Sequence, residues 1–236
     1  MCKTPAKAKA SSTAFEIIAL AVVPSVLFAC AYFQIAQSAL LSIFVALIAV
    51  VIFFIRFEKS SPALRQVMPT VVLSALAVAG RLLFAPIPNF KPVTAICIIS
   101  GAVFGRSSGF MVGAMAALVS NFFFGQGPWT VWQMYCWGLC GYFAAILAEK
   151  GMFDFKFGLV SYGAFSSMIC GVFLNCWHAI GFVQPFSLGA LATAIFMGLP
   201  FDIINACATV LFLLVLYAPW YKKMHRVKLK YDILGD

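Results

Sequence analysis

Charge is scarce in this chain. Asp, Glu, Lys and Arg make up 10% of its 236 residues, while hydrophobic residues make up 64%. A soluble domain carries about 25% charged residues. Such a chain has too little polar surface to cover itself in water, so its solvent is expected to be lipid, with no soluble domain of any size. Catalytic signatures are missing too: there is no Walker A sequence, no H-E-x-x-H and no G-x-S-x-G. ATP hydrolysis by the chain itself is excluded, and no hydrolase site is recognisable. Eight cysteines occur, none at metal-ligand spacing. Cys136 and Cys140 are four apart on one helix face, as small packing residues often are. No catalytic residue, metal ligand or cofactor is expected.

What the chain does have is apolar runs with basic flanks. A span needs about 20 apolar residues, and eight spans are expected, at about 15–33, 39–57, 65–85, 92–105, 109–124, 129–148, 157–181 and 189–217. The first run is too long for a cleavable signal peptide and lacks a small-x-small site. All but Arg81 and Lys91 of the sixteen Lys and Arg residues fall on alternate sides of these runs. Lys and Arg near span ends stay in the cytoplasm, so both termini are expected there. The net charge of +9 then reflects anchoring and orientation at the lipid bilayer, and no nucleic-acid partner is expected.

Four segments follow from this pattern: a basic cytoplasmic tail (1–13), a transmembrane hairpin (14–57), a six-helix module (63–220) and a second basic tail (221–236). Glu58-Lys59-Ser60-Ser61-Pro62 marks the boundary between hairpin and module. The outer loops are rich in Pro, Gly, aromatics and amides but poor in charge, which suits binding of a neutral or amphipathic small molecule.

Gly101, Gly105, Gly109, Gly113 and Ala117 recur every four positions. Such a face lets helix backbones approach closely, and packing within the bundle is the expected role. Ala75 and Ala79 form a second small pair, with Ser74 and Ala77 widening the smooth surface. Internal packing and a docking face for a partner helix both fit it.

Polar groups inside spans are costly in lipid and therefore informative. Asp202 follows Gly198-Leu199-Pro200-Phe201, where a kinked or broken helix is expected, and Asn205 lies one turn on. Asn175, Trp177 and His178 lie near the outer end of the preceding span. Arg81 would snorkel to the interface or serve as a counter-charge to Asp202 or to a substrate anion. The densest cluster runs Ser120-Asn121-Phe122-Phe123-Phe124-Gly125-Gln126-Gly127-Pro128-Trp129-Thr130-Val131-Trp132-Gln133. An interfacial aromatic belt explains the tryptophans. It does not require Asn121, Gln126 and Gln133, and stacking surface beside amides is what a recognition pocket needs.

Gly80-Arg81-Leu82-Leu83-Phe84-Ala85-Pro86-Ile87-Pro88-Asn89, then Thr94-Ala95-Ile96, Ser120-Asn121 through Trp129, and Gly198-Leu199-Pro200-Phe201-Asp202 together resemble the substrate-binding S components of energy-coupling factor (ECF) vitamin transporters. The resemblance covers about 63–220. It implies an all-α membrane fold: the six-helix S-component bundle, here preceded by an additional two-helix hairpin. It implies a vitamin held near the outer face by the loops at 85–92, 124–128 and 182–188. It also implies an alanine face, Ala75 and Ala79, that docks on a transmembrane T component, with two separate ATPase chains driving transport as the S component topples in the membrane. Relatives often have Pro where this chain has Val131, and His where it has Asn205.

On this reading the substrate-binding residues are Asn89, Asn121, Gln126, Trp129, Trp132, Gln133 and His178, with Arg81, Asp202 and Asn205 as structural polar groups within the membrane. The Gly-Gln-Gly-Pro-Trp block is similar to the branch associated with cobalamin or related corrinoids. Pantothenate, a thiamine precursor and the queuosine precursors stay open. The location implied is the plasma membrane of a prokaryote. The alternative is a stand-alone secondary transporter that uses Asp202 and Arg81 in proton coupling.

Overall fold

Glycine marks the corners of this helical chain. The computed structural model describes residues 21–26, 29, 33, 38–59, 64–183 and 187–230. Among them the regular structure is helical: α1 (Ser38–Lys59), α2 (Leu64–Leu83), α3 (Val93–Phe104), α4 (Arg106–Phe124), α5 (Trp129–Glu149), α6 (Lys156–Phe182) and α7 (Leu188–Lys230). A 3-10 turn at Met152–Asp154 joins α5 to α6. Gly105 alone separates α3 from α4 with φ +88°, and Gly125 ends α4 with φ +97°. Residues with a Cβ rarely adopt such backbone angles. The expected N-terminal tail, most of the first span, residues 60–62 of the 58–62 breaker, part of the 182–188 loop and the last six residues lie outside the described residues.

Four helices, α4 to α7, are long and apolar enough to cross a membrane, and α1, α2 and α3 contain shorter apolar stretches. α3 is the instructive case. Its 12 residues rise about 18 Å, well short of a hydrocarbon core of about 30 Å. All of α3 except Ala102 is buried, so protein rather than lipid surrounds it. α7 departs from expectation in the other direction. It is one helix of 43 residues, against an expected span of 189–217, and it continues unbroken through Pro200 and Pro219, where a kinked or broken helix was expected near Pro200. Packed neighbours let membrane helices keep proline without ending. The basic residues from Lys222 to Lys230 are therefore its last turns.

The glycine stripe is an interior contact. A Cβ on Gly101 would overlap the backbone carbonyl of Gly141, one on Gly141 would overlap the backbone of Gly109, and one on Gly113 would overlap that of Trp137. α3 and α4 thus press onto α5 at backbone distance. Gly105 is the corner residue and meets nothing on that face. The second helix of the expected hairpin, α1, is built into the same core. Its Ala46, Ala49, Val50 and Phe53 are buried in one cluster with Phe110, Trp132, Tyr135, Tyr142 and Trp177. Phe53 stacks on Phe110 with ring centroids 3.8 Å apart and meets Tyr142 edge-on at 5.6 Å.

Candidate functional site

The end of α2, the end of α4 and the start of α5 converge at one end of the bundle, together with the loops at 84–92 and 125–128. Arg81 on α2 donates from Nη1 to Ser120 Oγ and, at 2.7 Å, to Asn121 Oδ1. Asn121 Nδ2 donates to Thr130 Oγ1 at 3.0 Å and to Gln133 Oε1 at 2.8 Å. Thr130 Oγ1 donates to Gln126 Oε1 at 2.9 Å and accepts from the Gly127 backbone N–H at 3.3 Å. Gln126 Nε2 donates to the Leu118 carbonyl at 2.8 Å. The Arg81 guanidinium lies over the rings of Phe124 and Trp137, at 4.5 and 4.9 Å from their centroids, a cation–π placement.

This network gives the expected site residues different positions. Asn121 is 1% exposed, and its oxygen and both amide donors are engaged, so it ties three helices together. Gln133 is half-buried beside it, and Gln126 is exposed with both ends of its amide bonded. Trp129 is 43% exposed, and its indole lies against Gly127, where a Cβ would overlap it. Trp132 is 0% exposed. It belongs to the core, 5.5 Å from Phe173 and 5.8 Å from Trp177, not to the surface of the loop end. A three-residue step turns it about 60° round the helix from Trp129, and that turn carries it inward. The Nε1 atoms of Trp132 and Trp177 are buried without a hydrogen-bond partner. His178 is exposed and stacks on Phe182 at 5.7 Å.

Asn89 stands exposed in the 84–92 loop with φ +53°. Lys91 folds this loop by donating to the carbonyls of Phe84, of Ala85 at 3.2 Å and of Ile87 at 2.7 Å. Burial, and then the positive charge of Arg81, hold its ammonium below the usual lysine range. Phe84 and Phe90 pin the loop to Phe212 of α7 at 5.2 and 5.4 Å. No site role was expected for Lys91, Thr130 or Ser120. A Ser or Thr on each side of the amide cluster was the available signal.

Arg81 and Asp202 form no ion pair. Asp202 is buried and accepts from Asn175 Nδ2 at 3.2 Å. A Cβ on Gly171 would overlap the Asp202 carboxylate, and one on Gly198 would overlap the Asn175 amide. The two polar side chains fit opposite two glycines and clasp α6 to α7. Ser167 donates to Thr209 at 2.8 Å along the same seam. Asn205 is half-buried on α7.

On α2, Ala75 and Ala79 are exposed in a face with Met68, Val71, Val72 and Leu76. Ser74 and Ala77 do not widen it. Ser74 is buried and donates to the Thr70 carbonyl at 2.7 Å, and Ala77 packs inward with Val93 and Ile96.

Residues 65–217 match the family model of the ECF transporter, substrate-specific component. The chain belongs to this family. This substrate-specific component is therefore a substrate-binding transporter subunit, not an enzyme, and a multi-pass membrane protein whose family works with T and ATPase subunits. The matched region runs from the start of α2 into α7, so α1 lies outside it. No solved structure matches the chain.

Proposed function

We propose that this substrate-specific component captures a vitamin-type micronutrient, with cobalamin or a related corrinoid as the leading candidate, at the loop end of its bundle. It then passes the ligand to a T component powered by two ATPase chains, for ATP-driven uptake across a prokaryotic plasma membrane with both termini cytoplasmic. Family membership supports the subunit role. The observation that carries the location is the network from Arg81 through Asn121 to Thr130, Gln126 and Gln133. It ties down the 125–128 loop beside Trp129, while Lys91 and the Phe84 and Phe90 contacts with Phe212 hold the loop that displays Asn89. A site held in place before the ligand arrives loses less entropy on binding.

The test is equilibrium binding by the detergent-purified full chain against a panel of cobalamin, pantothenate, thiamine precursors and queuosine precursors. Tight, selective retention of cobalamin is expected. Retention of another panel member would reassign the substrate, and retention of none would remove the capture role. The secondary-carrier reading needs Arg81 and Asp202 to act together, whereas each has its own partners. It calls for uptake by proteoliposomes lacking ATPases, abolished in Asp202→Asn, and neither result is expected.

A further inference from the structure

Between α5 and α6 runs a groove of about 690 Å³ that has no part in the loop-end network. Leu139, Phe143 and Ile146 of α5 face Phe165 and Ile169 of α6 across it. Tyr135 and Phe173 close one end, with ring centroids 6.1 Å apart, and Leu147 and Met152 line the other. The Tyr162 hydroxyl donates to the Cys140 carbonyl at 2.6 Å, and that of Ser166 donates to the Gly163 carbonyl at 3.2 Å. The thiols of Cys140 and Cys170 meet at 3.2 Å. These groups are engaged within the protein, so the walls present hydrocarbon, ring and thiol surface.

The dimensions and the charge at one end name an occupant. From Tyr135 to Leu147 the wall rises about 18 Å, close to the roughly 15 Å of hydrocarbon in one leaflet. Both flanking helices are long and apolar enough to span the bilayer. At the Leu147 end, Lys150 and Lys156 are exposed. Of the acidic groups there, Glu149 is paired with Arg106 at 2.5 Å, and the Asp154 carboxylate lies over Gly151. Basic residues at the end of an interhelical groove favour an anionic headgroup. Val23, in the described stretch 21–26, is buried in the cluster of α1 with Phe110 and does not line the groove.

We propose that the α5–α6 groove holds one acyl chain of an anionic phospholipid, with its headgroup against Lys150 and Lys156. This rests on the membrane setting and not on the identity of the transported ligand. The full chain is reconstituted in vesicles of phosphatidylcholine and phosphatidylglycerol. A trace of phosphatidylglycerol carrying a diazirine on one acyl chain is photolysed, and labelled peptides are mapped. Labelling of 139–147 and 161–173 is expected severalfold above that of Val71, Val72 and Leu76 on the flat apolar face of α2. Ile169→Trp, which fills the groove, is expected to remove the excess. Equal labelling of groove and α2 face in the unaltered protein overturns the proposal without reliance on any variant. The double variant Lys150→Gln, Lys156→Gln is expected to reduce labelling by the phosphatidylglycerol probe to that of a phosphatidylcholine probe. Equal labelling by the two probes in the unaltered protein overturns the headgroup assignment.

Discussion

Arg81 of α2 donates to the Asn121 side-chain oxygen of α4 at 2.7 Å, and through Asn121 it reaches Thr130 and Gln133 at the start of α5. A charged side chain thus meets a buried amide whose every hydrogen-bonding atom is used. Leaving such a group unpaired costs about 1–3 kcal/mol, more where charge is involved. Arg81→Ala is expected to lower the thermal midpoint of the purified protein and its ligand affinity together. Arg81→Lys, which keeps the charge but loses the planar fork, is expected to fall between. A midpoint unchanged in Arg81→Ala would mean that the network does not hold the loops.

Residues displayed at the loop end behave differently from those beneath it. Trp129→Ala and Gln126→Ala are expected to weaken ligand binding while expression and melting stay near those of the unaltered chain. Asn121→Ala is expected to lose stability first, because it strands Arg81, Thr130 and Gln133. Isothermal titration alongside thermal unfolding separates the two classes. Unchanged affinity in both Trp129→Ala and Gln126→Ala would take the pocket away from this loop.

Phe53 joins α1 to the matched bundle through its ring stack on Phe110. Truncation of a well-packed core Phe typically costs about 3–5 kcal/mol. Phe53→Ala is expected to loosen α1 and to speed tryptic cleavage near Lys59, with a smaller effect on ligand binding. Cleavage at the rate of the unaltered protein would show that the stack adds nothing to the seating of α1.

The alanines of α2 allow a paired test. Ala75→Trp changes an exposed position and is expected to block co-purification with the T component while sparing ligand binding. Ala77→Trp changes a side chain that is 0% exposed, and it is expected to reduce folded yield outright. Intact assembly of the Ala75→Trp protein with its partner would count against the docking face.

Much of the helix order was readable from residues in sequence. α5 was expected at 129–148 and runs Trp129–Glu149, and α6 was expected at 157–181 and runs Lys156–Phe182. Apolar run length, basic flanks and Gly or Pro punctuation are properties of neighbouring residues, so they survive without knowledge of the fold. The close approach of Gly101 and Gly109 was legible for the same reason, since four-residue spacing places them on one face. α3 was expected at 92–105 and runs Val93–Phe104, but it was read as a span because the extreme apolarity that comes from enclosure by other helices imitates the signature of one.

By itself, the order of residues determined the helical and strongly apolar character of this chain, and its motifs pointed to the family it belongs to. Tertiary structure decided which way each informative side chain faces. It set Trp132 in the core and Trp129 at the surface, Ala77 inward and Ala75 outward, and it gave Arg81 to Asn121 rather than to Asp202. The reason is physical: helical period and hydropathy act within one segment, whereas direction and pairing depend on which helix arrives opposite, often tens of residues away.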